Sequence, residues 1–401
     1  MKILFLTYDL PYPLVSGGKI RAYYLIKSLS RNHRLTLFSY YRDEEQRQYL
    51  PELRKYCSKI YLFKRRKPWS WQNLLRAFLT PLPFAPATYH SPELEAALKK
   101  ELKATHYDLV HFESFYPALY LPLVKKLGVK TLLGNENVEY QIYQRFVDSR
   151  KFPWLRWLLK LEVFRMRLFE ENLWQQADAN LAVSKEDAAT IKGITKKACL
   201  IVPNGVEPAA FKKPRDYERS KSLIFIGTLL YPANNDAMKF FLQDLYPEIK
   251  RRAKGVKFIL VSWHKSKWLK EYLTDSSVEL IQDKETPAGD LLGRGGIFVA
   301  PMRVASGTNI KVLEGMAAGL PVVTTTVGIE GIEAKDGKEV VVRDKPEEFI
   351  NEVIKLLGHE DYRREVGREG KALVERKYDW GEVGKNLEKV YQELVYDRKK
   401  N

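Results

Sequence analysis

The sequence predicts an α/β protein built from two doubly wound, Rossmann-like halves, and three observations carry that expectation. Short apolar runs of strand type alternate with longer segments of helical spacing along most of the chain, the pattern of parallel sheets wrapped by helices. The alternation starts afresh at Ser222, after the charged stretch Lys212 to Lys221, which reads as a linker by composition. Each half also holds a strand, a glycine-containing turn and a helix, a unit whose unpaired first-turn N–H groups suit an anion. At 401 residues the chain is long enough for two substantial cores.

In the first half, Lys2 to Thr7 reads as a buried strand, followed by a loop ending in Gly17-Gly18 and a helix over Lys19 to Arg31. A glycine pair there either ends a loop or lets the backbone approach a phosphate. Strands recur at Leu35 to Tyr40 and Lys59 to Phe63, around a polar helix over Asp43 to Tyr56. Lys64 to Trp71 interleaves basic residues with tryptophans and leads into the apolar, proline-rich run Asn73 to Tyr89. That mixture suits an anionic bilayer surface; a solvated basic loop beside a core helix is the plainer reading. No nucleic-acid module accompanies it, so nucleic acid is not expected as a partner.

Strands at Asp108 to Phe112 and Lys130 to Leu133 flank a helix over Tyr116 to Leu127. The carboxyl ends of parallel strands face the ligand crevice, which makes His111, Glu113 and Glu136 the candidate catalytic residues of this rim. A histidine so placed is otherwise a core or surface residue. Trp154 to Gln176 is one basic amphipathic helix, with Trp157, Leu158, Leu161, Phe164, Leu168 and Trp174 on roughly one side, expected to face the core. A strand at Asn180 to Val183 and a Ser184-capped helix follow.

The second half places strands at Leu223 to Ile226, Lys257 to Val261, Val278 to Ile281, Ile297 to Ala300, Val322 to Thr324 and Glu339 to Val342. Its organising stretch is Val299 to Thr325: a strand, a Gly-Thr turn, a helix starting near Asn309, and a strand opened by Pro321. Gly307 permits close backbone approach, Thr308 or Asn309 can cap, and the helix start suits a diphosphate. Lys311 is unfavourable for the helix dipole and so serves a bound anion or a nearby carboxylate. Glu314 shares its face and suits paired sugar hydroxyls, unless the two are an ordinary surface pair.

Composition bounds the partners. Lys+Arg of 67 against Asp+Glu of 50 gives a net charge of +17, which favours acidic partners such as nucleotide sugars, phospholipid surfaces or nucleic acid without choosing among them. Cys57 and Cys199, far apart in apolar contexts, suggest neither a disulfide framework nor a thiolate metal site, so a reducing cytoplasm is expected. No apolar run of membrane-spanning length is present and no signal is visible at the amino end.

The segment Pro301 to Val323 closely resembles the donor-site signature of family-4 retaining glycosyltransferases with the GT-B fold, glycosyl transferases group 1. The resemblance implies two Rossmann-like doubly wound domains facing across a cleft: an acceptor-side domain over residues 1–205, a nucleotide-sugar domain over 206–380, and a helix over 381–401 crossing back. It further implies that Gly307, Thr308 and Lys311 hold the donor diphosphate and Glu314 the ribose, with Arg303 and Asn309 beside them. Ser306 stands where many relatives carry a sugar-contacting glutamate, eight positions before Glu314.

The loop after the first strand of the second half resembles the branch with Gly-x-x-x-Tyr/Trp-x-x-Asn, so Gly227, Tyr231 and Asn234 or Asn235 should border the donor, and the base edge should meet Gln282 to Glu285. Gly17 and Gly18 match the family's phosphate-approaching loop, and Val202-Pro203-Asn204-Gly205-Val206 matches its interdomain crossing. Glu136 occupies the position of the family's histidine; its open roles are to bond sugar hydroxyls, to orient a cation such as Arg303, or to accept the acceptor proton.

The implied activity moves a sugar from a UDP- or GDP-sugar to a glycan or lipid-linked acceptor in polysaccharide or glycolipid synthesis. No cofactor or metal is expected, the nucleoside diphosphate sugar being a co-substrate and no Asp-x-Asp motif being present. A peripheral position on an anionic membrane is a further expectation. A nucleotide-sugar epimerase and a non-catalytic sugar-nucleotide-binding relative are the alternatives; a phosphorylase would need a longer chain and a pyridoxal-phosphate lysine.

Overall fold

The computed structural model describes residues 1–148, 153–211, 221–264, 266–283, 286–304 and 307–396, without the side chains of 153–156 and 158. The chain divides into a unit of Met1–Pro203 with Gly384–Asn401 and a unit of Asn204–Val383.

In the first unit β1 (Lys2–Thr7), β2 (Arg34–Tyr41), β3 (Lys59–Lys64), β4 (Leu109–Glu113), β5 (Thr131–Asn135), β6 (Ala179–Ala182) and β7 (Cys199–Ile201) form a parallel sheet. Its order is β3-β2-β1-β4-β5-β6-β7. Central β1 pairs with β2 from Lys2↔Arg34 to Thr7↔Ser39 and with β4 from Ile3↔Leu109 to Thr7↔Glu113. The winding direction therefore switches between β1 and β4, where such sheets open a crevice at their carboxyl ends. Helices cover both faces, so β1 and β4 are buried along nearly their whole length and are apolar apart from Lys2 and Thr7 in β1 and His111 and Glu113 in β4.

The helices used below are α1 (Gly17–Leu29), α2 (Trp71–Leu79), α3 (Glu139–Asp148) and α4 (Pro153–Gln176). Two expectations fail here. The polar helix over Asp43 to Tyr56 is a 3-10 segment, Glu44–Tyr49, followed by one helical turn, Leu50–Leu53, because Pro51 has no N–H to continue an α ladder. On α4 only Trp174 of the expected core face is buried; Trp157, Leu161, Phe164 and Leu168 point outward, and Leu158 lies outside the described side chains. The core face is instead Val163, Met166, Leu173 and Trp174, because Trp157 to Leu168 keep a stripe that drifts off the line leading to Trp174.

The second unit holds β8 (Ser222–Ile226), β9 (Lys257–Val261), β10 (Val278–Ile281), β11 (Ile297–Ala300), β12 (Val322–Thr324) and β13 (Val341–Val342), parallel in the order β10-β9-β8-β11-β12-β13. It repeats the same winding, with the switch between β8 and β11. Helices α5 (Pro232–Phe240) and α6 (Ile310–Ala317) leave the carboxyl ends of β8 and β11. Its core gathers Phe225, Phe298, Val312, Leu313 and Met316 from the sheet and from α6.

The closing helix α7 (Trp380–Tyr396) begins in the second unit and belongs to the first from Gly384 on. Where the chain leaves and re-enters, Val206 N–H donates to Tyr378 O at 2.8 Å and Trp380 N–H to Val206 O at 3.1 Å. A Cβ on Gly205 would lie 2.7 Å from Tyr378 O and 3.0 Å from the Trp380 ring, so only glycine fits that pairing. Cys57 and Cys199 are free thiols, both pushed by burial to about 12 and thus held protonated.

Candidate active site

In the second unit the turn from β11 to α6 is fixed by backbone geometry. Gly307 has φ +66°, a left-handed conformation that strains residues with a Cβ. Asn309 sits at the N-cap of α6 but does not cap it: Nδ2 donates to Gly328 O at 3.0 Å, and Oδ1 accepts from Lys311 Nζ at 3.1 Å. The first-turn N–H groups of α6 are thus left uncovered by that side chain, in a unit suited to an anion. Thr308 Oγ1 is buried without a hydrogen-bond partner, 2.7 Å from where a Cβ on Gly331 would lie.

Lys311 and Glu314 follow on the same face of α6, each half-buried. Burial pulls the lysine down to about 8, partly offset by Glu314, and pushes the carboxyl up to about 7, partly offset by Lys311. Two groups so desolvated gain most from ligand groups that match their charge: phosphate for Lys311, hydroxyl donors for Glu314. They are not an ordinary surface pair.

After β8, Gly227 lies against Asn234, whose Nδ2 would be 2.7 Å from a Cβ at that position. Asn234 Nδ2 holds Thr228 O at 3.0 Å while its buried Oδ1 has no partner. Tyr231 is the N-cap of α5 and 44% exposed. Arg303 is spoken for: Nε and Nη2 bind both oxygens of Asp236 on α5 at 3.0 and 2.6 Å, and its plane stacks 4.5 Å over Phe240. Any share Arg303 takes in phosphate neutralisation would be taken as half of this ion pair. Asp236, not singled out in the sequence, satisfies that fork bidentately. Ser306 and the last two residues of Gln282 to Glu285 lie outside the described residues.

In the first unit Tyr8 and Glu136 directly follow β1 and β5, and Gly18 is in the first turn of α1. A Cβ on Gly18 would meet Tyr8 Oη at 2.0 Å and the two Glu136 oxygens at 2.8 and 2.9 Å, so the glycine is what admits both groups. Gly17 opens the helix and is exposed. Glu136 Oε1 is buried with no hydrogen-bond partner. Burial pushes this carboxyl up to about 8, with the Glu113 charge adding and Arg21 opposing. At neutral pH Glu136 is therefore mostly the acid, an O–H donor.

His111 and Glu113 are both sealed from solvent. β4 runs on to Glu113, which leaves His111 in mid-sheet opposite Phe5 and Leu132, and the two residues are 0% and 1% exposed. Glu113 binds Arg21 Nε at 2.6 Å and His111 Nε2 at 2.8 Å, while His111 Nδ1 pairs with the Tyr391 hydroxyl of α7. Arg21 in turn donates to Val202 and Pro203 carbonyls at 2.9 and 3.1 Å. Burial alone would raise Glu113, but Arg21 and His111 outweigh it and hold the carboxylate at about 2. This is a positioning network, tying α1, β4, α7 and the end of the unit together. Sequence reasoning missed Tyr8, although its place one residue past a strand end was the available signal, and Arg21, which looked like one more helix cation.

Residues 15–210 match Glycosyltransferase Family 4, and residues 220–359 match Glycosyl transferases group 1. The chain belongs to the group 1 glycosyltransferases. This glycosyltransferase is 23% identical over 393 residues to an uncharacterized 44.6 kDa protein in the cps region of Klebsiella pneumoniae, covering 94% of this chain and 96% of that one. Its fold is that of GT-B enzymes. It is similar to Anabaena HepE, solved in complex with UDP and glucose, with TM-score 0.63 and 13% identity over 97% of this chain and 99% of that one. It is also similar to WaaG, a glycosyltransferase involved in lipopolysaccharide biosynthesis, with TM-score 0.64 and 14% identity over 98% and 100%.

Proposed function

We propose that this glycosyltransferase moves a sugar, with retention of configuration, from a nucleoside diphosphate sugar to a glycan or lipid-linked acceptor of a cell-surface polysaccharide or glycolipid. The observation that carries the reading is the pair Lys311 and Glu314, desolvated on one face of α6 behind an uncapped helix start and a left-handed Gly307. Lys311, Thr308 Oγ1 and the α6 N–H groups hold the diphosphate, and Glu314 accepts from ribose hydroxyls. As the bond from the anomeric carbon to the diphosphate breaks, these donors stabilise the charge left on phosphate, and the acceptor oxygen takes its place on that carbon. The acceptor proton ends on the departing phosphate, and no metal is required in this scheme.

Gly227, Tyr231 and Asn234 border the donor in this reading, and Glu136 acts in the first unit as an acid-form hydrogen-bond donor to substrate. The cps-region relative and the lipopolysaccharide enzyme support the polysaccharide or glycolipid assignment, and the UDP complex of HepE supports a nucleotide-linked donor. A cytoplasmic location with access to a membrane-borne acceptor fits two free thiols and the absence, among the described residues, of a helix long and apolar enough to cross a bilayer. The test is a panel of UDP- and GDP-sugars and free nucleotides scored by thermal shift, because a ligand at a hundred times its Kd stabilises by about 2.7 kcal/mol. A shift by one nucleoside diphosphate class is expected; a flat response across the panel refutes the donor site.

A further inference from the structure

Two helix faces of the first unit are turned outward although they are apolar. On α2, Trp71, Leu74, Leu75 and Phe78 recur at helical spacing and are 69, 45, 48 and 86% exposed. The opposite face is the buried one: Asn73 donates to the carbonyls of Lys67 and Pro68 at 3.1 and 3.2 Å, and Ala77 packs inward. On α4, Trp157, Leu161, Phe164 and Leu168 form a second stripe, each more than half exposed. Arg165 joins the two elements, donating from Nη2 to Ala77 O at the end of α2 and to the carbonyls of Thr80 and Leu82. Apolar surface of this extent and regularity marks a binding face.

The surroundings are cationic. Arg66 and Lys67 precede α2 and Arg76 lies on it. A groove of about 420 Å³ beside Phe164 is lined by Arg145, Lys160 and Arg167, of which Arg167 also pairs with Glu171 at 2.7 Å and Arg145 is engaged as well. Lys64 and Arg65 have internal duties: Lys64 pairs with Glu44 at 3.1 Å, and Arg65 stacks 3.8 Å over Tyr89 and donates to Thr88. The basic run from Lys64 to Lys67 is therefore only partly available to an outside partner, and the apolar stripes carry the larger share.

We propose that the outward faces of α2 and α4 are a docking surface for a bilayer with anionic head groups, the apolar side chains lying among the acyl chains and the cations at the head groups. A second copy of the chain is disfavoured as occupant, since two like faces would bring their basic surroundings together. The proposal deepens the membrane-side function given above and rests on it only for its purpose, because docking is measured without donor or acceptor.

The experiment is co-sedimentation of the full chain with vesicles of phosphatidylcholine alone or mixed with phosphatidylglycerol, at low and high salt. Wild type should bind the anionic vesicles, with residual binding at high salt because apolar insertion is not screened. Phe78→Glu and Leu161→Glu should each lower partitioning roughly tenfold or more, the loss expected for withdrawing one large apolar side chain. Both positions are exposed, and an unchanged circular dichroism spectrum checks the fold. Brominated lipid should quench tryptophan emission in wild type more than in Trp71→Phe. Failure of wild type to bind anionic vesicles, or equal binding by both glutamate variants, overturns the proposal. So does a wild-type dimer that both variants abolish without vesicle binding, which would make the face a self-association surface. A chain that docks yet binds no nucleotide would refute the transferase reading and leave this one standing.

Discussion

Replacing Glu136 with glutamine tests whether this residue works as an acid. Burial moves its carboxyl from an ordinary 4.5 to about 8, so between those values the folded chain keeps a proton that the unfolded chain has released. The unfolded state binds fewer protons in that window, and stability must fall as pH rises through it. At 1.36 kcal/mol per unit the full span amounts to about 5 kcal/mol as an upper bound, and a few kcal/mol is the expected fall.

Glutamine has the same shape, cannot ionise and keeps an N–H donor. Wild type minus variant, from urea unfolding at about pH 6 and about pH 9, should therefore differ by a few kcal/mol, the variant gaining at the alkaline end. Glu139, also raised by burial, to about 7, is present in both proteins and cancels. Transfer activity should survive in Glu136→Gln near neutral pH and lose the alkaline decline. Glu136→Ala, which removes the donor, should lose about tenfold to a hundredfold, the range for one unmade buried hydrogen bond. A pH-independent stability difference would show that Glu136 is not held neutral. If glutamine is as inactive as alanine, the residue accepts a proton instead of donating one.

Lys311→Ala and Glu314→Ala should each weaken donor binding by about 1.5 to 3 kcal/mol, the worth of a charge-assisted contact, and equal calorimetric affinity in both variants and wild type would remove the site assignment. Transfer should persist in excess EDTA, because the proposed scheme assigns the diphosphate charge to Lys311, Thr308 and the α6 N–H groups; loss of activity restored by manganese would contradict it. Glu113→Ala should destabilise by about 3 to 5 kcal/mol, because it leaves Arg21 charged and buried without its carboxylate. If denaturant midpoints coincide, the network is not what holds α1 to the sheet.

The alternation of apolar runs with helical segments was enough to read two parallel α/β sheets. Strands buried on both faces are mostly apolar, and they leave a local signature. Strands Lys2–Thr7 and Ile297–Ala300 appear in the structure within the ranges read from the residues. The Gly-Thr turn before α6 was likewise legible, since a left-handed residue at a helix start selects glycine by local sterics.

What the sequence by itself did not determine was which side of an amphipathic helix meets the core. Periodicity defines a stripe but not its partner, so the apolar stripes of α2 and α4 read as core-facing or loop-flanking when packing turns them to solvent. Only the tertiary structure decided that His111 and Glu113 are sealed beneath Arg21, and that Asp236 takes the guanidinium of Arg303. It also decided that Glu136 lies beside Gly18 and Tyr8, where burial raises its carboxyl. A charge's role depends on its solvation and on partners far along the chain, here from Arg21 to Glu113 and from Asp236 to Arg303, and neither quantity is local in sequence.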